Sequence, residues 1–149
     1  MARLRFSLNT TAEVALTTAL KTVLHLNVAA NTRCAVRGFG VAFDGVSSTA
    51  GCAEVQLAIQ STSGTLTGAT LYRLVRGTTE AFATSGSHTA TVEPTNSDVL
   101  YSYNVNAMTG YERAFAQDEE IELSGGTRLG LLVRASSAVN CHAFIIGEE

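Results

Sequence analysis

Residues 14–28 read Val-Ala-Leu-Thr-Thr-Ala-Leu-Lys-Thr-Val-Leu-His-Leu-Asn-Val, and the fold class turns on how this stretch is taken. Its even positions carry Val14, Leu16, Thr18, Leu20, Thr22, Leu24, Leu26 and Val28. Its odd positions carry Ala15, Thr17, Ala19, Lys21, Val23, His25 and Asn27. Successive side chains of a strand point to opposite faces, so this sorting makes one apolar and one mixed face of a long or bent strand. Leu16, Leu20, Val23 and Leu24 also fall at helical spacing, and a helix over residues 12–20 is the competing reading.

The same alternation recurs further along. Ala35, Phe39, Val41 and Phe43 alternate with Cys34, Arg37 and Gly40. Val55, Leu57 and Ile59 alternate with Glu54, Gln56 and Gln60, and Leu129, Leu131 and Val133 with Arg128, Gly130 and Arg134. Residues 139–146 are apolar on both faces, as a central strand is. Turn-forming clusters separate these segments, among them Asp44-Gly45 through Gly51, Ser61 through Gly68, Gly77-Thr78-Thr79, Ser85-Gly86-Ser87 and Ser124-Gly125-Gly126. Short strands between frequent turns, abundant Thr and a single Pro predict an all-β fold, a two-sheet antiparallel sandwich of roughly eight to ten strands. Residues 1–12 read as an N-terminal arm or first strand, and residues 13–149 as a single domain.

Composition narrows the function. Charged residues make up 15% of the 149, against about 25% in a typical globular domain. Apolar residues make up 46% and the mean hydropathy is +0.18. Disorder needs the reverse balance. A net charge of −3 and a pI near 5.6 argue against direct contact with nucleic acid. So few charges suggest that part of the surface is buried against other chains. Arg3 and Arg5 are not followed by an unbroken apolar run, so neither a secretory signal nor a membrane span is expected. The chain reads as made in a cytoplasm. Cys34, Cys52 and Cys141 are odd in number and lack a CxxC, which predicts free, buried thiols.

No constellation concentrates chemistry. Residues 37–43, Arg-Gly-Phe-Gly-Val-Ala-Phe, look like an RNA-stacking strand, but the second aromatic and the helices of that fold are missing. Phe39, Val41 and Phe43 fit a core instead, with the glycines allowing close packing. Ser87, His88 and Asp98 supply the residue types of a hydrolytic triad, yet neighbours on a turn do not face each other. Cys141 and His142 point to opposite faces of a strand and cannot easily share a metal with Cys34 and Cys52. In Asp118-Glu119-Glu120-Ile121-Glu122, Glu120 and Glu122 read as the solvent side of a strand. Ser124-Gly125-Gly126-Thr127-Arg128-Leu129-Gly130 lies between strands and reads as a hairpin turn, since a phosphate loop needs a following helix. No catalytic, cofactor-binding or metal residues are expected, and the chain is not expected to be an enzyme.

Two groups of stretches look familiar together. One is residues 21–31, Lys-Thr-Val-Leu-His-Leu-Asn-Val-Ala-Ala-Asn, leading into residues 40–45, Gly-Val-Ala-Phe-Asp-Gly. The other runs from His88-Thr89-Ala90-Thr91-Val92-Glu93-Pro94-Thr95 through Tyr103-Asn104-Val105-Asn106 and Gly125-Gly126-Thr127-Arg128-Leu129-Gly130 to Ala138-Val139-Asn140-Cys141. The combination resembles the small decoration (cement) proteins of tailed-phage capsids, across most of residues 20–149. The resemblance implies a jelly roll and a homotrimer on the capsid exterior, bound to the major capsid protein lattice, with no cofactor. The three cysteines depart from the pattern. Arg3, Arg5 and Phe6, on an arm suited to sheet addition, and the aromatic residues Tyr101, Tyr103 and Tyr111 are the candidate interface residues. The alternative reading is a jelly-roll tail or fibre module binding host-surface glycans, against which the absence of Trp weighs.

Overall fold

The computed structural model describes residues 3–44, 51–77 and 79–149. The turn expected at Asp44 to Gly51 lies largely outside the described residues, as does Thr78. Among the described residues there are thirteen strands and no helix. In chain order they are β1 (Arg5–Asn9), β2 (Val14–Ala15), β3 (Lys21–Asn27), β4 (Cys34–Phe43), β5 (Cys52–Gln60), β6 (Thr65–Ala69), β7 (Leu71–Arg73), β8 (Ser85–Val92), β9 (Asn96–Asn106), β10 (Tyr111–Ala114), β11 (Ile121–Leu123), β12 (Arg128–Ala135) and β13 (Asn140–Glu148). They form two antiparallel sheets. One is ordered β10-β4-β13-β1-β7, with β11 also on β4 and β2 also on β13; the other is ordered β6-β8-β3-β12-β5-β9.

The pairings are nested. The first strand pairs with the last (β1 with β13), then β3 with β12, β4 with β10 and β11, and β5 with β9, alternating between the sheets. The chain between β5 and β9 supplies β6, β7 and β8, which widen the sheets beyond β1 and β3. This exceeds the expected eight to ten strands because Ser61–Gly68, read as a turn, forms β6 from Thr65 onward, and Ser85-Gly86-Ser87 begins β8. Both gain a ladder partner that composition does not reveal: Thr67 pairs with His88 and Gly68 with Ser87.

Residues 14–28 are two strands in different sheets, not one. On the even-numbered side Val14, Leu16, Leu24, Leu26 and Val28 are buried, whereas Thr18 is exposed and Leu20 half-buried. The chain turns at residues 16–20, and no helix forms over 12–20. Val23 is buried from the odd side because the β3–β12 register shifts there, Leu131 facing Leu24 and Leu132 facing Thr22. One extra residue on a strand reverses the phase of those beyond it.

A second shift does the same on β4. Ile146 faces Gly38 and Gly147 faces Val36, which leaves Arg37 as the extra residue. Phe39 and Val41 therefore point inward with Val36 and Cys34, whereas Ala35, expected inside, is only half-buried. Phe6, Leu8, Phe39 and Ile145 from one sheet meet Leu24, Leu57, Leu129 and Leu131 from the other, all fully buried. Each such side chain contributes about 1.5–3 kcal/mol on burial.

Residues 3–12 belong to this unit. β1 lies between β13 and β7 rather than forming a free arm. The turn at Ser124–Thr127, expected to close a hairpin, crosses between sheets, since β11 pairs with β4 and β12 with β3 and β5.

Candidate interaction surfaces

The residue types of a triad or metal site are kept apart. His88 lies on β8, its Nε2 3.1 Å from Thr11 Oγ1 and its Nδ1 3.0 Å from Thr89 Oγ1. Asp98 lies on β9, at the far edge of the same sheet, with β3, β12 and β5 between. Cys34 begins β4 opposite Leu123, and Cys141, on β13, faces Phe43 at the other end of β4. No group of three metal-binding side chains occurs among the described residues. Burial pushes the Cys34 and Cys141 thiols up to about 12, whereas Cys52, expected buried, is exposed. Phe39 and Val41 are core, so residues 37–43 offer no stacking platform.

The bulge at Arg37 builds an ionic cluster. Glu148, buried on β13, accepts hydrogen bonds from Arg37 Nε at 2.7 Å and Nη2 at 2.8 Å, and also from Arg3. Arg37 Nη1 lies 2.7 Å from Glu120. The Arg37 bond holds the Glu148 carboxyl below the usual range. Glu120 is therefore half-buried in a cleft rather than on a solvent face. Arg37 and Glu148 are far apart in sequence, and nothing in the local pattern pairs them; the bulge is what aims Arg37.

Tyr101, Tyr103 and Tyr111 come together where the edges of the two sheets meet. Tyr103 stacks on Tyr111 at 4.8 Å between ring centroids and on Tyr101 at 6.1 Å. Phe115 joins at 5.6 Å from Tyr101, and Phe39 reaches Tyr111 from the core at 5.9 Å. Arg113 lies 4.9 Å from the Tyr101 centroid and 5.3 Å from that of Phe115, and donates to Tyr103 Oη at 2.7 Å. The three tyrosines are half-buried and seal the seam between β9 and β10. Arg113 and Phe115 went unnoticed in the sequence, although Tyr111, Arg113 and Phe115 alternate as residues on one side of a strand do.

Of the other candidate interface residues, Phe6 is fully buried against its own chain, edge-on to Phe82 at 5.6 Å. It is corrected to a core residue, because β1 is an interior strand. Arg3 is exposed but held by Glu148, and Arg5 is exposed.

The outer face of the first sheet carries few charges, exposed Glu112 standing opposite Gly40 and His142 opposite Ala42. Ser7, Gly40, Ala42, Ala114, Phe144 and Ile146 lie there. The Phe144 ring covers Gly40 so closely that a Cβ at position 40 would stand 2.4 Å from it. The outer face of the second sheet is partly covered, for Thr22, Ala58, Gln60 and Leu132 are buried. Gln60 Nε2 donates to Thr22 Oγ1 at 3.1 Å and Asn96 Oδ1 at 3.0 Å, lying over Gly130. Beside it Glu54 takes hydrogen bonds from Gln56, Ser102 and Arg134, which hold its carboxyl down.

No family model, curated protein or solved structure matches the chain.

Proposed function

We propose that the chain is a structural virion protein, a homotrimeric decoration protein on the exterior of a phage capsid, stabilising the major capsid protein lattice. Nested pairing alternating between two sheets supports reading the sandwich as a jelly roll, wound from one long folded hairpin. The observation that carries the role is the outer face of the first sheet. A broad face of Ser, Gly, Ala, Phe and Ile, with Glu112 and His142 on it and Arg37 paired to Glu148 at its rim, suits burial against other protein. It would act by spanning neighbouring capsid subunits and resisting the internal pressure of packaged DNA. The glycan-binding alternative wants an open aromatic platform, and the tyrosine stack here is half-buried with Arg113 laid across it.

Co-sedimentation with expanded capsid shells of the virus that encodes the chain, together with mass photometry, tests the role. The expected result is a trimer in solution and saturable binding to expanded shells. A chain that stays monomeric at high micromolar concentration and leaves the shells bare would refute it.

A further inference from the structure

The outer face of the first sheet carries a groove of about 390 Å³, bordered by Thr10, Ala42, Thr109, Glu112, His142 and Phe144. The ladder register explains its shape. Gly40 lies between Phe144 of β13 and Glu112 of β10, and Ala42 lies beside His142. The small residues of β4 keep the floor low. The half-buried Phe144 ring lies over Gly40 on one side, and Glu112 stands on the other.

Many carboxylates of this fold are satisfied within the chain. Glu54, Glu120 and Glu148 each meet an arginine, and those of Glu93 and Glu149 accept backbone N–H groups. Glu112 is different. It is exposed and, among the described residues, has neither a hydrogen bond nor an ion pair. No lysine or arginine among the described residues lines the groove. His142 is turned elsewhere, its Nδ1 3.3 Å from Thr10 Oγ1 and its Nε2 3.9 Å from Glu13. In water Glu112 needs no partner. Under a covering protein it does, because a carboxylate stripped of water and left unpaired is costly. The cation must then come from the protein that covers it.

We infer that the groove receives an arginine side chain of that covering protein, its guanidinium paired with Glu112 and lying against the Phe144 ring. A guanidinium suits both walls at once, since it is planar, stacks on an aromatic face and presents a fork of donors to a carboxylate. A lysine ammonium is a compact, strongly hydrated charge that uses the carboxylate alone. The inference rests on the proposed decoration role only for the identity of the partner, the major capsid protein.

Two measurements on the full chain test it. The first is an NMR titration with Nα-acetyl-arginine methylamide, and in parallel with its lysine and citrulline counterparts. Saturable shifts centred on the amides of Gly40, Ala42 and Glu112 are expected for arginine, weaker ones for lysine and none for neutral citrulline. Glu112→Gln is expected to abolish them. No shifts with arginine, shifts centred elsewhere, or equal shifts with lysine or citrulline overturn the inference. The second is co-sedimentation with expanded shells, where Glu112→Gln is expected to bind roughly thirtyfold more weakly than wild type. Asp98→Asn, on β9 of the other sheet, is expected to bind as wild type does. Glu112 is exposed and unbonded, so its variant is expected to keep the wild-type melting temperature. Shells that take up Glu112→Gln as tightly as wild type overturn the groove and leave the decoration role standing. A wild-type chain that binds the arginine compound but leaves shells bare removes the decoration role and keeps the groove as an arginine site.

Discussion

His25 gives the fold an acid limit that can be worked out in advance. It sits on β3 opposite Gly130, is only 4% exposed, and its Nε2 has no hydrogen-bond partner. Burial, with Arg128 adding repulsion, lowers its pKa from 6.5 to about 4. The folded chain then binds fewer protons at His25 than the unfolded chain between those values. Stability is complete above pH 6.5 and is lost as the pH falls toward 4, up to about 3 kcal/mol in all. From pH 7 to pH 5 the loss is about 2 kcal/mol, and a domain of this size then melts roughly 5–8 °C lower. Glu148 and Glu54 are held low, so their contribution is lost only below the ordinary carboxylate range, and the window above pH 5 isolates the histidine. The assay is urea unfolding at pH 7 and pH 5, for wild type and for His25→Gln, which has no proton to gain. The variant is expected to lack the loss. Parallel losses in both chains, or a His25 NMR titration near pH 6.5, would refute the reasoning.

Other perturbations have expected outcomes. Phe6→Ala empties a fully buried site between β13 and β7 and is expected to cost about 3–5 kcal/mol in urea unfolding; a detachable arm would cost almost nothing. Glu148→Ala leaves Arg37 and Arg3 without their shared acceptor and is expected to cost about 2 kcal/mol, less than a wholly buried pair because both arginines reach solvent. Gly110→Ala must hold φ near 73° with its Cβ 2.4 Å from the Val41 carbonyl oxygen. It is expected to lose about 2 kcal/mol or more and to weaken the near-ultraviolet circular dichroism of the adjoining tyrosine stack. Native chain is expected to react with a thiol reagent quickly at Cys52 alone, and at all three cysteines once unfolded.

The fold class was legible because alternation survives wherever one face is buried. Val55, Leu57, Leu129, Leu131 and Val133 all point inward as read. What escaped were single-residue insertions in the ladders. Nothing local marks Val23 or Arg37 as a bulge, because a bulge is settled by the partner strand: Leu131 and Leu132 in one case, Ile146 and Gly147 in the other. Each moved residues across the sheet, so Val23 and Cys34 became core and Ala35 left it. The aromatic seam was half legible for a related reason. Tyr101 and Tyr103 share a face by spacing, but Phe39 joins only through tertiary contact.

Low charge in this chain is best understood as a low cost of desolvation. The cations are one lysine, Lys21, and otherwise arginines. Arginine holds carboxylates in a rigid fork, which a lysine ammonium cannot do. Arg37 and Arg3 accordingly converge on Glu148, and Arg134 on Glu54, so that several charges arrive at the surface already neutralised. A buried charge without a partner costs several kcal/mol, and a paired, hydrogen-bonded one costs far less to cover. The face around Gly40, Ala42, Ala114, Phe144 and Ile146 adds only Glu112 and His142 to what must be stripped of water. For a solitary domain such a face only lowers solubility. For a subunit that must lie flat on another protein it makes association inexpensive without making the free chain greasy.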